Sequence, residues 1–390
     1  MTTAAATNLP TADMPSVVIL DLGATATALT QQICDIESVS GNEAALADAI
    51  AAALAGSVHL EIIRHGNTVI ARTNLGRASR VVIAGHIDTV PLNNNLPARY
   101  ETLEPGSALA TSSGTGPGDY LWGRGTVDMK AGVAVQLKLA AELTEPTVDV
   151  TWMWYDNEEV TSDLNGLTLL AADRPDLFAG DFAILGEPTN STIEGGCNGT
   201  LRVDVRATGR RSHSARSWVG ENAIHRIAPV LATLAAYEAR EVEVEGLVYR
   251  EGLNAVGITG GVAGNVIPDE CTVHVNYRFA PSRSGAEAVE HVRSLFPGFE
   301  VILMDLAEGA RPGLDAALAQ HFLASVGGVA KPKYGWTDVA RFSAMGVPAV
   351  NYGPGDPLKA HADDERVLIS QIVDCEAGLR RWLTGGGFTR

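Results

Sequence analysis

Five segments of this 390-residue chain end in side chains that bind cations or move protons. The apolar run Val81-Val82-Ile83-Ala84-Gly85 leads straight into His86 and, two residues on, Asp88. Trp152-Met153-Trp154-Tyr155 leads through Asp156-Asn157 into Glu158-Glu159, and Phe182-Ala183-Ile184-Leu185-Gly186 leads into Glu187-Pro188. Gly123-Arg124-Gly125-Thr126-Val127-Asp128-Met129-Lys130 opens an apolar helical run to Leu143, and His361 sits in a proline-stiffened loop that starts at Gly353. Singly, each has an ordinary explanation: an acid after a strand is usually loop, Asp128 could cap a helix, and His361 could be surface. It is their coincidence that points to one site.

Together they suit two zinc ions about 3.5 to 4 Å apart, held by nitrogen and oxygen ligands with a carboxylate between them. Imidazole and carboxylate without thiolate fit zinc, cobalt or manganese. Neighbouring side chains on a turn point differently, so one member of Glu158-Glu159 can bind metal while the other acts as general base toward water. The two glycines near Arg124 do not make a dinucleotide loop, because the third glycine and the ribose-binding acid are missing and no clear strand precedes them. No G-x-S-x-G elbow occurs, which disfavours a serine hydrolase.

The elements that must position these groups read as an α/β fold with a mixed, largely parallel sheet flanked by helices. Strand-like runs are Val58 to Ile63, Thr68 to Thr73, Arg80 to Ala84, Val148 to Tyr155 and Phe182 to Leu185. The last three are nearly all apolar, as for strands covered on both faces, and in such sheets ligand sites lie beyond the carboxyl ends of the strands. Two helices are expected between Ala24 and Gly56, with Ser40 or Asn42 near a cap. Asn93 to Tyr120 reads as a long surface excursion at the rim of a site.

From Gly199 the pattern becomes strand (Thr200 to Ala207), helix (Asn222 to Arg240), strands (Asn254 to Thr259 and Cys271 to Phe279), helix (Ser284 to Leu295) and strand (Glu300 to Leu306). That β-α-β-β-α-β order is the ferredoxin-like split βαβ sandwich. It makes residues 198–307 an inserted domain within a catalytic domain formed by residues 1–197 and 308–390. A helix from Leu314 to Ser325, a strand from Ala349 to Tyr352 and a helix from Glu365 to Leu383 complete the chain.

The formal net charge of −17 argues against nucleic-acid and anionic-membrane partners, and implies that an acidic substrate needs local arginines. Four scattered cysteines without a C-x-x-C pair argue against a disulfide framework. Met1 to Ser16 reads as a frayed tail without a signal peptide, and no apolar run reaches the roughly 20 residues of a membrane span. A cytoplasmic protein is expected.

These residues closely resemble the zinc-dependent aminoacylase and carboxypeptidase family, over nearly the whole chain. The motifs that carry it are His86-Ile87-Asp88-Thr89-Val90, the Gly123-to-Lys130 segment, Glu158-Glu159, Gly186-Glu187-Pro188 and His361. The resemblance implies two Zn2+ per subunit, or Co2+, with Asp128 between the metals, His86 and Glu187 completing one site, and Glu159 and His361 the other. It implies that Asp88 steadies His86 and that Glu158 carries a proton from water to the leaving amine. It further implies a homodimer, because the residues matching His213 and Asn265 reach the partner subunit's site, where His213 would steady the oxyanion. Arg278, Thr337 and Arg341 match positions that grip substrate carboxylates, so the substrate would be a small acidic N-acylated amino acid. Desuccinylases, deacetylases and general aminoacylases share the ligand set. Some desuccinylases carry arginines where Cys197-Asn198 precede Gly199-Thr200, so the acyl contact here would be built differently. A non-catalytic metal-binding relative is the reading of another class, and the intact Glu158 argues against it.

Overall fold

The computed structural model describes residues 18–106 and 116–385. The Met1 to Ser16 tail lies outside the described residues.

One face-covered sheet organises the larger part of the chain. Its eight strands run in the order Glu61–His65, Thr68–Arg72, Asp149–Tyr155, Arg80–His86, Phe182–Leu185, Ala349–Asn351, Glu194–Gly195 and Lys331–Pro332. The four central strands, from Asp149–Tyr155 to Ala349–Asn351, are mutually parallel, and Thr68–Arg72 and Glu194–Gly195 flank them in antiparallel sense. The central runs lie buried almost end to end, which is why they read as continuous apolar stretches without alternation. Helices Ala26–Cys34, Ala44–Leu54, Lys130–Glu142, Ala317–Val326 and Ile369–Thr384 form the apolar layer on one face. Gly166–Asp173 and Val339–Ala344 cover the other.

Close packing fixes where the strand ends point. Gly132 lies in the helix Lys130–Glu142, and a Cβ there would come within 2.3 Å of the Gly186 carbonyl oxygen. Only glycine lets that helix lie directly on the turn that carries Glu187.

Residues 199–307 form a second sheet, antiparallel throughout, in the order Gly252–Gly260, Glu270–Phe279, Gly199–Thr208 and Glu300–Ala307. Helices Ala223–Arg226, Ala228–Ala235 and Gly285–Leu295 pack on one face around a separate apolar cluster. This is the split βαβ order expected from the sequence. Inward residues such as Leu201, Val203, Val275 and Tyr277 alternate with Arg202, Asn276 and Arg278 on the other face.

Several elements differ from expectation. The helix expected over Asn222 to Arg240 is two short helices ending at Ala235, with Pro229 at the start of the second, where its missing N–H costs nothing. Glu241–Val244 and Leu247–Arg250 form a hairpin turned by Glu245 and Gly246, both at positive φ, the backbone of a tight two-residue turn. The last helix starts at Ile369, because Arg366–Leu368 pair as a strand with Tyr120–Trp122. A strand, Gly118–Trp122, does precede the glycine turn at Gly123, contrary to the reading above. Neither Ser40 nor Asn42 caps the second helix, which begins after Glu43; Ser40 instead donates to Asp88. The excursion from Asn93 contains the strand Arg99–Leu103, paired with Gly118–Trp122, and its residues 107–115 lie outside the described residues.

Candidate metal and active site

His86 ends a central strand, Glu158-Glu159 follow the next, and Glu187 follows a third, so the carboxyl edge of the parallel sheet gathers them as its topology requires. Asp128 reaches the same place from the turn before the helix Lys130–Glu142, and His361 from the loop after Ala349–Asn351.

The Asp128 carboxylate stands between the two histidines. His86 Nε2 lies 3.0 Å from its Oδ1, and His361 Nε2 lies 3.3 Å from its Oδ2 and 2.9 Å from Glu159 Oε1. Donor atoms of His86, Asp128 and Glu159 all fall within 4.8 Å of one another. Glu187 is buried, and its Oε1 has no hydrogen-bond partner among the described residues. A buried carboxylate oxygen without a donor is costly unless a cation meets it, so this orphaned atom fits a metal ligand. Burial, and next the Asp128 charge, push the Glu187 carboxyl up to about 7. Burial works against the Asp128 carboxylate, yet hydrogen bonds from His361 and His86 hold it far below the usual carboxylate range.

Asp88 is fully buried behind this cluster. His86 Nδ1 lies 3.1 Å from the Asp88 backbone carbonyl oxygen and 3.3 Å from Asp88 Oδ1. The same carboxylate accepts the Ser40 hydroxyl at 2.7 Å and the backbone N–H groups of Glu158 and Glu159 at 3.0 and 3.1 Å. Asp88 thus fixes an imidazole through its carbonyl and carboxylate, and through the carboxylate the turn that presents two further acids. Burial pushes the Glu158 carboxyl well above its ordinary value, the direction a proton-transfer group requires.

Two cavities flank the cluster. One, of ≈ 340 Å³, lies between the second sheet and the body, with Glu158 and Glu159 at one end and Arg202, Arg278 and Arg341 along its walls. The other, of ≈ 610 Å³, is bounded by Asp128, Glu187, Glu194, Lys331, Lys333 and Thr337. Trp336 lines both, and its indole N–H donates to the Glu308 carbonyl at 3.0 Å.

The remaining sequence-predicted residues divide. Arg278 and Arg341 line the smaller cavity, where Arg341 is tied to Asp338 and donates to Ser162 Oγ at 3.0 Å. Thr337 borders the larger cavity, and its hydroxyl donates to Asn351 Oδ1 at 2.8 Å. His213 and Asn265 lie together, the Asn265 carbonyl accepting the Ser214 N–H at 2.9 Å, and neither lines these two cavities.

Other residues that hold the site belong to none of the sequence motifs. Glu365 is buried and accepts Arg124 Nη1 at 2.8 Å and the N–H groups of Val127 and Asp128 at 2.9 and 3.1 Å. Asp338, also buried, accepts the Tyr155 hydroxyl and the Asn165 amide. Lys333 donates to the Pro188 carbonyl at 2.8 Å and steadies the Glu187 turn. Glu365 carries the only available sequence signal, its position four residues after His361.

Residues 82–384 match the model of peptidase family M20/M25/M40. The chain is 46% identical over 376 residues to a succinyl-diaminopimelate desuccinylase of Corynebacterium glutamicum, covering 94% of this chain and 98% of that one. It is 51% identical over 370 residues to a Mycobacterium tuberculosis protein described provisionally as succinyl-diaminopimelate desuccinylase, covering 94% of this chain and 100% of that one. The fold is shared with a Bacillus subtilis protein described as a dinuclear metal-binding peptidase of family M20, with a TM-score of 0.65 at 13% identity over 92% of this chain and 96% of that one. With its strand-end acids, its two histidines on one aspartate and a match across most of its length, this chain belongs to peptidase family M20/M25/M40.

Proposed function

We propose that this protein hydrolyses the amide bond of N-succinyl-LL-2,6-diaminopimelate, releasing succinate and LL-2,6-diaminopimelate. The observation that carries the chemistry is the position of Glu158: at the end of an arginine-bearing cavity, next to Glu159 of the cation-binding cluster, and held through its backbone by Asp88. The 46% identity to the Corynebacterium protein, over nearly the whole of both chains, supports this substrate over the acetylornithine and general aminoacylase alternatives.

His86, Asp128 and Glu187 would hold one zinc or cobalt ion, and Asp128, Glu159 and His361 a second. When bound, the pair supplies Lewis acidity and lowers the pKa of water. Glu158 accepts the proton of the attacking water and delivers it to the leaving nitrogen, so that one water is consumed and a carboxylate and an amine are released. Asp88 orients His86 and the Glu158-Glu159 turn. Arg278 and Arg341 take substrate carboxylates, a role for which the planar guanidinium is suited. Residues 198–307 form the inserted domain, through which two chains pair. His213 and Asn265 then serve the partner subunit's site, which agrees with their separation from the cavities of their own chain. A cytoplasmic location belongs to the same reading. Four free cysteines support it, and no described helix is long and apolar enough to cross a membrane.

The test is a parallel assay of the zinc-loaded protein on N-succinyl-diaminopimelate, N-acetylornithine and acetylated amino acids. The highest kcat/KM is expected on the first. A preference for acetylornithine contradicts the substrate and leaves the family chemistry in place.

A further inference from the structure

The smaller cavity contains a cation that the roles above do not use. Arg202 lies on the strand Gly199–Thr208, beside Arg278 on Glu270–Phe279. In the register Arg278 pairs with Thr200 and Asn276 with Arg202, so the two arginines occupy diagonal positions on one sheet face. Both line the cavity that Glu158 closes. Burial, and next the charge of Arg202, lower the proton affinity of Arg278, so the two guanidinium groups feel each other.

On their own sheet these two charges meet a single acid, Asp305. Arg202 donates through Nε and Nη2 to Asp305 Oδ2 at 3.1 and 2.8 Å, using two of the five N–H donors a guanidinium has. Arg278 has no carboxylate at ion-pairing distance among the described residues. Glu158 and Glu159 at the end of the cavity are taken up by the proposed reaction, so along its wall Arg202 and Arg278 face one acid, Asp305, and leave a site that an anion completes. An exposed arginine–aspartate pair on a sheet contributes little to stability, so holding the fold does not explain this placement.

We propose that Arg202, acting with Arg278, forms a carboxylate subsite beside Glu158, and that Arg202 sets the preference for substrates with a carboxylate distal to the scissile amide. This rests on the proposed reaction. The distal carboxylate has two sources, the succinyl end and the far end of diaminopimelate, and each is removed in one analogue. N-acetyl-diaminopimelate lacks the first, and Nα-succinyl-lysine lacks the second.

The experiment compares wild type, Arg202→Met and Arg202→Lys on N-succinyl-diaminopimelate and on both analogues, as kcat/KM where they turn over and as inhibition constants where they do not. Wild type comes first. Failure to cleave N-succinyl-diaminopimelate there rejects the proposed function, independently of Arg202. Given that activity, Arg202→Met is expected to lose about 10- to 100-fold on the full substrate, mainly in KM. One analogue should be unaffected by the substitution, and which one identifies the carboxylate held. Arg202→Lys should recover part of the loss, because the charge remains and the planar fork does not. An equal loss on all three compounds, or no loss on any, overturns the proposal. Thermal melting of both variants at the wild-type temperature separates recognition from folding.

Discussion

The Asp88 carboxylate holds the backbone of Glu158: its Oδ1 accepts the Glu158 N–H at 3.0 Å, while its Oδ2 accepts the following N–H at 3.1 Å. The same side chain backs His86, so the imidazole proposed to face a metal and the carboxylate proposed to move the proton share one buried support. Asp88→Asn keeps the size, removes the charge and turns an amide donor toward groups that already donate. Metal affinity or activity should drop about 10- to 100-fold with the fold intact. Zinc titration and steady-state kinetics on one preparation decide this, and wild-type values in both would contradict the shared support.

Glu365 joins the segments that carry Asp128 and His361, because it follows His361 in sequence and accepts the N–H groups of Val127 and Asp128. Glu365→Ala leaves Arg124, which is 4% exposed, without its partner. Removing one member of a buried ion pair costs about 3 to 5 kcal/mol. Urea denaturation should show that loss, and a change of under roughly 1 kcal/mol would place this contact in the class of surface pairs.

Metal removal should make the His361 loop pH-sensitive. Hydrogen bonding to Asp128, then to Glu159, raises the His361 imidazole to about 10 from an ordinary 6.5. Because the folded value lies above the unfolded one, the chelated protein has this stabilisation in full below pH 6.5 and loses it as pH rises through about 10. Melting temperatures of chelated protein should therefore fall across that window more steeply than those of His361→Gln. A metal ligand must be a neutral imidazole, so adding zinc at pH 8 should release protons, measurable in a weakly buffered solution. Parallel melting curves and zinc uptake without proton release would both count against His361 as a ligand.

The sheet and the strand-end groups were legible because doubly covered parallel strands leave unbroken apolar runs, and the polar residue that ends each run falls on the ligand-binding edge. His86, Glu158-Glu159 and Glu187 follow from that rule. Glu365, Asp338 and Lys333 were not legible, since their partners lie far away in sequence: Arg124 is 241 residues from Glu365, and Tyr155 is 183 from Asp338. Local pattern also misled at the start of the last helix, where Arg366–Leu368 pair with Tyr120–Trp122 instead of joining the helix that follows. The Glu245-Gly246 turn did leave a local trace, a glycine between two alternating runs, masked by a helix extrapolated past Ala235.

Subunit complementation tests the assignment of His213 to the partner's site. Glu159→Ala removes a candidate ligand from one chain, and His213→Ala removes the proposed oxyanion donor of the other. Refolded together with different affinity tags, purified mixed dimers should regain activity that neither parent has, because one of their two sites has intact ligands and an intact donor. Mixed dimers as inactive as the parents would mean that His213 acts within its own chain or has a structural role.

The central claim is that Glu158 moves the proton while its neighbours hold the metals, and Glu158→Gln tests it most directly. The amide occupies the same space and replaces no proposed ligand, but it cannot accept the proton from water. Metal content and turnover of N-succinyl-diaminopimelate, measured on the same preparation, should show two metals per chain and activity lower by about 100-fold or more. Loss of metal together with activity would make Glu158 a ligand, and retained activity with both metals bound would remove it from the proton path.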